Sequence, residues 1–522
     1  MIRNSMQKWF CSGRSAAAMR CVGNHCKSVI IATALYHPLL LIVRNCIGKA
    51  NEVMRISAVS CLVAVLFSGC SSFVPQPISP TATFARYESR TLDDPELNAF
   101  IQKNALHQVT GWPIAQWDFD QLTLAALYYH PDLDLARAKW GVAQAGVSTA
   151  GMRPNQNISL NAQRNADAPS GTSPWTLGLN LDIPVETAGK RGYRIDQAQY
   201  LSEAARLAIA GTAWQVRSRV RNAMLDLYFS QQTQLVLLQQ QALQQNNVTL
   251  LEHRLALGMA SQSEVTQARI GLNQTILSFN ETQKLQADAR ARLASALGLS
   301  SKAIENISIS FDEFTRFPAF PVDEVRQQAL ISRPDILTAL AEYAASQSAL
   351  QLEVARQYPD LHLGPGYSWD AGASKWSLGL SLVLPIFNQN QGPIAEARAR
   401  RLQAMSAFNA AQARAIGEID GGWANYRATQ AKLTAADALL AEQNRQIRNA
   451  MASFNAGQTD RIALLGSQLE MSQIALARID ILAKTQQALG VLEDAVKRPL
   501  MAPALLQNAL ETNPRQHKEN SQ

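Results

Sequence analysis

The sequence predicts a mainly α-helical protein with a smaller β component, built as a tandem structural repeat. Three observations indicate this fold class. Short motifs recur at nearly constant separation, long stretches rich in Ala, Leu, Gln, Arg and Glu favour unbroken helices, and four short segments alternate apolar and polar residues as strands do. The recurring motifs, with their separations, are Leu127–Leu133 and Leu330–Ile336 (203 residues), Trp175–Pro184 and Trp376–Pro385 (201), and Gly258 and Gly457 (199).

The first 70 residues differ in composition from the rest of the chain. They hold all six cysteines, and residues 1–69 carry eight basic residues against one acidic residue. Residues 70–522 are left with 40 basic and 40 acidic residues, so this part lacks the basic surface typical of nucleic-acid-binding proteins. Because no cysteine follows Cys70, the body has no disulfide, Cys-ligated zinc or cysteine nucleophile.

Residues 54–69 have the organisation of a lipoprotein signal peptide. A basic start at Met54 and Arg55 is followed by the apolar run 56–67 and then by small residues. The run is shorter than the roughly 20 apolar residues of a transmembrane helix. Residues 68–70, Ser-Gly-Cys, resemble a bacterial lipobox with an unusual Phe67 before them, which predicts lipid attachment at Cys70. If Met54 is the start, residues 1–53 are a non-native upstream extension.

The rest of the chain is divided by the repeat. We expect an N-terminal tether and equatorial segment at 70–117, repeat 1 at 118–300, a linker at 301–320, repeat 2 at 321–498 and a disordered tail at 499–522. Each repeat is predicted to contain a helix, two strands, a long helix, a turn and a further helix. As one helix, residues 191–257 would extend about 100 Å at 1.5 Å per residue.

The second helices of the repeats each carry a narrow apolar stripe. The stripe in repeat 1 consists of Val265, Ala268, Leu272, Ile276 and Phe279, and that in repeat 2 of Ile474, Ile481, Ala488, Leu492 and Val496. Such narrow, alanine-rich stripes with polar flanks favour coiled-coil packing between long helices. The core of an ordinary helical bundle explains this part equally well.

The four predicted strands favour a pore over a bundle. Segments 158–163, 175–183, 361–369 and 376–384 alternate apolar residues with Gly, Ser, Asn and Thr. We expect each of the four strands to have about nine to eleven residues, the length that crosses a bilayer at a tilt. A half-buried soluble sheet also alternates, but these strands have no obvious partner to cover their apolar face. Four strands cannot close a membrane barrel alone, so an oligomer must complete it. We expect an aromatic girdle at the strand ends: Trp175, Tyr367, Trp369 and Trp376.

The combined pattern resembles the TolC-like outer-membrane factor family. The resemblance covers 118–498 and rests on the duplicated plan, the Pro-Asp openings at 131 and 334, the Leu-Gly-Leu strand motifs and Gly189-Lys190-Arg191. It implies a homotrimer with a 12-stranded transmembrane β-barrel, four strands per chain, on a long periplasmic α-helical barrel. The leader indicates the lipoprotein branch, which works with a periplasmic adaptor and an inner-membrane resistance-nodulation-division pump.

The resemblance also implies a function and a functional end. The protein would be the passive outer-membrane channel of a tripartite efflux system for drugs or heavy-metal cations, or alternatively the outlet of a type I protein-secretion system. The helix turns would be the adaptor-docking and gating tips, with these residues: Gly258, Ser261, Glu264, Gly457, Thr459 and Asp460. Some members have acidic rings where this chain has Ala463 and Gly466, whereas repeat 1 has Glu264 at the position that matches Ala463.

No motif for catalysis, a metal or a cofactor occurs in the sequence. It contains no phosphate-binding loop, zinc-protease motif or nucleophile elbow. Four histidines, His107, His130, His253 and His362, have no carboxylate or thiol cluster near them in sequence. An enzyme should show such a cluster, and a coiled-coil adaptor should lack the four amphipathic strands. We therefore expect neither class.

Overall fold

The structure is a computed structural model that describes residues 73–105, 111–317 and 321–500. The chain forms two compact units, Met1–Ser79 and Pro80–Gln522. In the first unit, the described residues 73–79 form no helix or strand. The predicted extension, signal peptide and lipidated Cys70 lie outside the described residues, as do residues 501–522 of the predicted tail.

The elements up to the end of the first repeat alternate helices and short strands. They are α1 (Pro80–Glu88), α2 (Pro95–Asn104), β1 (Gln116–Trp117), α3 (Phe119–Tyr129), α4 (Pro131–Ala150), β2 (Asn157–Arg164), β3 (Trp175–Val185), α5 (Lys190–Ala256) and α6 (Gln262–Leu297). The remaining elements follow a similar plan. They are β4 (Ser308–Ile309), α7 (Val322–Ser332), α8 (Pro334–Ala355), β5 (Leu361–Asp370), β6 (Ala373–Leu382), α9 (Gln391–Asn455) and α10 (Arg461–Val496), with 3-10 turns at Ser301–Ile304 and Asp312–Thr315.

One very long helix dominates the helical part of each repeat. Helices α5 and α9 have 67 and 65 residues, and each reverses into a helix of 36 residues, α6 or α10. Helix α5 contains no proline. The one proline of α9, Pro393, lies in its first turn, where backbone N–H groups have no helical partner to lose. The predicted uninterrupted helix is therefore confirmed, and its 67 residues extend about 100 Å.

The helix that opens each repeat is split in two, whereas the sequence analysis expected one. The residues before Pro131 and Pro334 are His130, with ψ of 125°, and Arg333, with ψ of 130°. A proline excludes the helical conformation from its preceding residue, so α3 ends before Pro131 and α7 before Pro334. Each proline then starts the next helix.

The four long strands form one antiparallel sheet in the order β2-β3-β5-β6. The strands have 8, 11, 10 and 10 residues, so only β2 is shorter than expected. Strand β3 of the first repeat pairs with β5 of the second, with Leu179 opposite Tyr367. The two repeats therefore share one sheet.

The predicted linker between the repeats is a packed segment. Strand β4 pairs in parallel with β1, with Gln116 opposite Ser308. Phe314 is buried 6.0 Å from Phe119, measured between ring centroids, and Trp117 is also buried. The linker thus completes the hydrophobic core around α3, α5 and α6.

Buried charged groups join the two repeats beside this core. Arg217 of α5 donates to Glu493 of α10 at 3.0 Å, and Arg221 lies 3.5 Å from the same carboxylate. Burial opposes ionisation of Glu493, but the two guanidinium groups outweigh it and hold the pKa of its carboxyl below the usual value. The Gln486 side chain donates to the carbonyl of Phe314 at 2.7 Å. Helix α10 therefore holds both α5 and the linker.

Candidate functional site: strand faces and helical tips

The apolar residues of the four strands lie on one face of the sheet. The strand register places Leu160 opposite Leu179, Leu179 opposite Tyr367, and Tyr367 opposite Trp376. The side chains of Leu160 and Trp376 are 80% and 83% exposed in the single chain. Within the described residues, this apolar face therefore has little covering it.

The opposite face carries small polar residues and glycine. The register aligns Ser159, Asn180, Gly366 and Ser377 across the four strands. A β-carbon at Gly366 would lie 2.4 Å from Asn180 Oδ1 and 2.7 Å from Ser377 Oγ. A larger residue at position 366 would therefore require the side chains of Asn180 and Ser377 to move. One sheet has an apolar and a polar face, as expected for strands between lipid and water.

The four candidate girdle residues share the apolar face. Trp175 begins β3, Trp376 lies near the start of β6, and Tyr367 and Trp369 lie near the end of β5. All four are close to the hairpin ends of the sheet. The rings of Tyr367 and Trp376 contact each other with centroids 4.8 Å apart. The positions suit an interfacial belt, whose role stays a prediction.

The turn after α5 is a Schellman motif. Gly258 has φ of +68°, its N–H donates to Leu255 O at 2.9 Å, and the Met259 N–H donates to Arg254 O at 2.8 Å. These two bonds satisfy carbonyls at the helix end, and glycine adopts the required left-handed conformation most easily.

The turn after α9 repeats the same geometry. Gly457 has φ of +70°, its N–H donates to Phe454 O at 3.0 Å, and the Gln458 N–H donates to Ser453 O at 2.9 Å. Thr459 is exposed in this turn. A β-carbon on either glycine would meet no heavy atom within 4 Å, so both turns are open on their outer side.

The next helices begin with side-chain caps. Ser261 Oγ accepts from the Glu264 N–H at 3.2 Å, and Glu264 Oε2 accepts from the Ser261 N–H at 2.6 Å, which completes a capping box. These bonds from Ser261 lower the pKa of the Glu264 carboxyl. The Glu264 carboxylate therefore caps the start of α6. The matching position of repeat 2 is Ala463, which has no carboxylate.

An ion pair connects the two tips. Asp460 Oδ1 accepts from the Ala463 N–H at 2.9 Å, and Asp460 Oδ2 accepts from Arg254 Nη1 at 3.0 Å. The Ala463 N–H, followed by Arg254, holds the pKa of Asp460 below its usual value. Since Arg254 lies in the last turn of α5 and Asp460 caps α10, the pair links the tip of one repeat to that of the other. Sequence spacing alone gave no sign of this link.

The structure corrects the expectation for one histidine. His362 of β5 has Nδ1 at 2.9 and 3.2 Å from the two carboxylate oxygens of Asp182 in β3, although 180 residues separate them. His130 caps α4 by accepting from the Asp132 N–H at 3.2 Å.

Among the described residues, no group of three or more His, Cys, Asp or Glu side chains is placed to hold a metal ion. In the same part of the chain, no helix is both long and apolar enough to span a membrane.

The outer membrane efflux protein family matches this sequence over residues 124–299 and 325–496. The chain belongs to this family. Members of the outer membrane efflux protein family are outer-membrane channel proteins and not enzymes, which confirms the predicted class and general location. The predicted fold class, mainly helical with a tandem repeat, is confirmed as well.

Relatives of known name and structure agree with this membership. The cobalt-zinc-cadmium resistance protein CzcC of Cupriavidus metallidurans is 23% identical over 370 residues, which cover 70% of this chain and 87% of CzcC. The probable outer membrane lipoprotein SilC of Salmonella typhimurium is 23% identical over 381 residues, covering 68% of this chain and 79% of SilC. The crystal structure of the outer membrane protein VceC of Vibrio cholerae has a TM-score of 0.61 at 20% identity, over 73% of this chain and 96% of VceC. At that identity the likeness establishes the fold.

Proposed function

We propose that the protein is the outer-membrane channel of a tripartite efflux system and conducts small solutes passively out of the cell. The observation that carries this proposal is the four-stranded sheet with an exposed apolar face and a small polar face. In water such a face would be unfavourable, because each exposed apolar Å² costs about 25 cal/mol relative to burial. Lipid covers it without cost.

Three chains complete the channel. Strands β2 and β6 each pair with one neighbour in the described sheet, so both edges have free backbone groups. Such edges are not tolerated in lipid, and pairing β6 of one chain with β2 of the next removes them. Three copies of four strands give the 12-stranded barrel of the proposal.

The helices support the same assembly. Of the 65 residues of α9, nine are buried in the single chain, against 19 of 67 in α5. Helix α9 therefore has a long uncovered side, which α-helices of a neighbouring chain would cover in a helical barrel.

The helical tips support a polarity for the channel. At 1.5 Å per residue, the tips at Gly258 and Gly457 lie about 100 Å along their helices from the sheet. That distance reaches far into the periplasm, where a periplasmic adaptor and an inner-membrane resistance-nodulation-division pump would dock. Lipid attachment at Cys70 would tie the chain to the outer membrane, and loss of labelled fatty acid in Cys70→Ala is its test.

The solute class follows from the relatives. CzcC is named for resistance to cobalt, zinc and cadmium. By this likeness, heavy-metal cations are the favoured cargo, with drugs as the other class of small solute. We therefore favour efflux of small solutes over the alternative function, the outlet of a type I protein-secretion system.

Native mass spectrometry and planar-bilayer recording of the purified full chain test the proposal together. A trimer that forms stable, water-filled conductances is the expected result. A monomer with full strand content, or a trimer without conductance, would contradict the assignment as a channel.

A further inference from the structure

His362 and Asp182 form an isolated pair on the polar face of the sheet. His362 alternates with Leu361 and Leu363, whose side chains point to the apolar face, and it lies opposite Pro184 and Ser381 in the neighbouring strands. The side chains of His362 and Asp182 are 37% and 48% exposed. Both residues lie near the end of the sheet where the strands join the helices.

The pair fixes the orientation of the imidazole. Nδ1 is held by both carboxylate oxygens of Asp182, so the Nδ1–H donates to the carboxylate in the neutral ring. Nε2 then carries the lone pair and has no hydrogen-bond partner among the described residues. Histidines that bind metals use this arrangement, in which a carboxylate accepts from one ring nitrogen and the other nitrogen binds the metal.

The surroundings leave Nε2 accessible. Gly364 and Gly379, which lie opposite each other in the adjacent row of the same face, carry no side chain. Lys190, the first residue of α5, is paired with Asp360 at 2.7 Å, so the charges of these two side chains offset each other. The carboxylate of Asp182, 2.9 Å from Nδ1, therefore favours a cation over an anion beside the imidazole.

We propose that His362, oriented by Asp182, is a transient binding site for transition-metal cations on the channel wall, with Nε2 as the ligand. This inference rests on the proposed function, because the polar face lines the lumen only in the assembled channel. Imidazole nitrogen suits Zn²⁺, Co²⁺, Ni²⁺ and Cu²⁺, whereas Mg²⁺ prefers oxygen ligands. One protein ligand per chain, with water completing the coordination, gives weak binding and rapid release, as export requires.

The test measures block of the purified full-length channel by metal ions in planar bilayers. Zn²⁺ and Co²⁺ should reduce the conductance reversibly at concentrations where Mg²⁺ has no effect. His362→Gln removes the nitrogen ligand and should raise the half-blocking Zn²⁺ concentration at least about tenfold. Asp182→Asn keeps the shape of the side chain but weakens the orienting bond, for which a loss of about 10- to 100-fold in affinity is typical.

The matched control is His253→Gln, which removes an exposed imidazole on α5 and should leave the Zn²⁺ block unchanged. Binding of Zn²⁺ to the same detergent-solubilised proteins, measured by competition with a fluorescent chelator, should change in parallel. If the channel conducts but Zn²⁺ fails to block it, or blocks His362→Gln equally, the pair is only a strand-to-strand contact and the inference is overturned while the proposed function stands. If the unmodified trimer does not conduct at all, the proposed function fails and the inference fails with it.

Discussion

Arg219 and Glu418 occupy matching positions in the two long helices, 39 residues before the tip glycine of each repeat, and carry opposite charges. Arg219 donates to Asp132 at 2.7 Å, next to the start of α4. Glu418 accepts from Arg333 at 2.8 Å, immediately before α8. Each long helix is thus bonded to the split opening of its own repeat by an ion pair, but the polarity is reversed between repeats.

The two ion pairs differ in burial, so their loss should have different consequences. The side chain of Arg333 is 1% exposed and also donates to Asp335 and to Ala495 O, whereas that of Arg219 is 49% exposed. We expect Arg333→Met to lower the free energy of unfolding by about 3 kcal/mol, because several bonds to a buried cation are lost. Arg219→Met should cost under about 1 kcal/mol, as exposed pairs do. Thermal unfolding in detergent measures both, and equal effects would contradict the role of burial.

His130, at the opening of repeat 1, should make stability depend on pH. Burial, followed by the positive charge of Arg219, outweighs Asp132 and lowers the pKa of the imidazole below 6.5. In the folded chain Nδ1 must stay unprotonated, because it accepts from the Asp132 N–H. Below about pH 6.5 the unfolded chain therefore binds more protons than the folded chain. The stabilisation is therefore complete above that pH and is lost as the pH falls. His130→Asn keeps a capping acceptor without a titration, and its unfolding should vary less between pH 7 and pH 5 than that of the unmodified protein.

Two neighbouring residues of β6 test the assignment of the strand faces. Leu380 is 63% exposed on the apolar face, whereas Ser381 lies on the polar face opposite His362. Leu380→Arg places a charge against lipid, which costs between about 1 kcal/mol near the interface and about 2–4 kcal/mol at the bilayer midplane. Ser381→Arg should fold, insert and change only the conductance. The measurement compares outer-membrane insertion of the two variants. If both variants insert equally well, these strands are not in a membrane.

The ion pair between the tips predicts a change in gating. Arg254→Gln removes the link to Asp460 but leaves the cap that Asp460 gives α10. Since an exposed pair contributes about 0.2–1 kcal/mol, its loss should shift each chain towards an open tip by up to about fivefold. The conductance in planar bilayers should therefore rise. Arg269→Gln removes the exposed pair with Glu252 within one hairpin and should leave the conductance unchanged. No difference between the two variants would show that the tip pair does not restrain opening.

The sequence predicted the long helices and the four strands because periodicity and the absence of proline act locally. It missed contacts that join distant segments: 180 residues separate His362 from Asp182, and 206 separate Arg254 from Asp460. The packing of the linker against the core was not predicted, for a related reason. Its short strand β4 has only two residues and is stabilised by β1, which lies far away in the chain. The opening helices divide at Pro131 and Pro334 for a local reason, because a proline excludes the helical conformation from the residue before it.

The last prediction concerns the tip glycines. Gly258 and Gly457 both have positive φ, and neither has a heavy atom within 4 Å of a β-carbon built on it. A valine at either position therefore meets no steric obstacle except its own backbone, and the left-handed conformation costs about 1–2 kcal/mol. We expect Gly258→Val and Gly457→Val to distort the turns and reduce export and crosslinking to the periplasmic adaptor, while trimer formation and membrane insertion remain intact.

The control for these variants is Gly211→Val in α5, a helical glycine that also has open space around a β-carbon but no positive φ. It should export normally. Cysteines at Ser261 and Thr459 provide the crosslinking probes, since Cys70 is the only thiol from that residue to the C-terminus. Normal export by both valine variants would remove the tips from the gating mechanism. If the tips extend into the periplasm, they lie about 100 Å along their helices from the sheet and cannot reach other outer-membrane proteins. Probes that crosslink only to outer-membrane proteins would therefore contradict the assigned polarity.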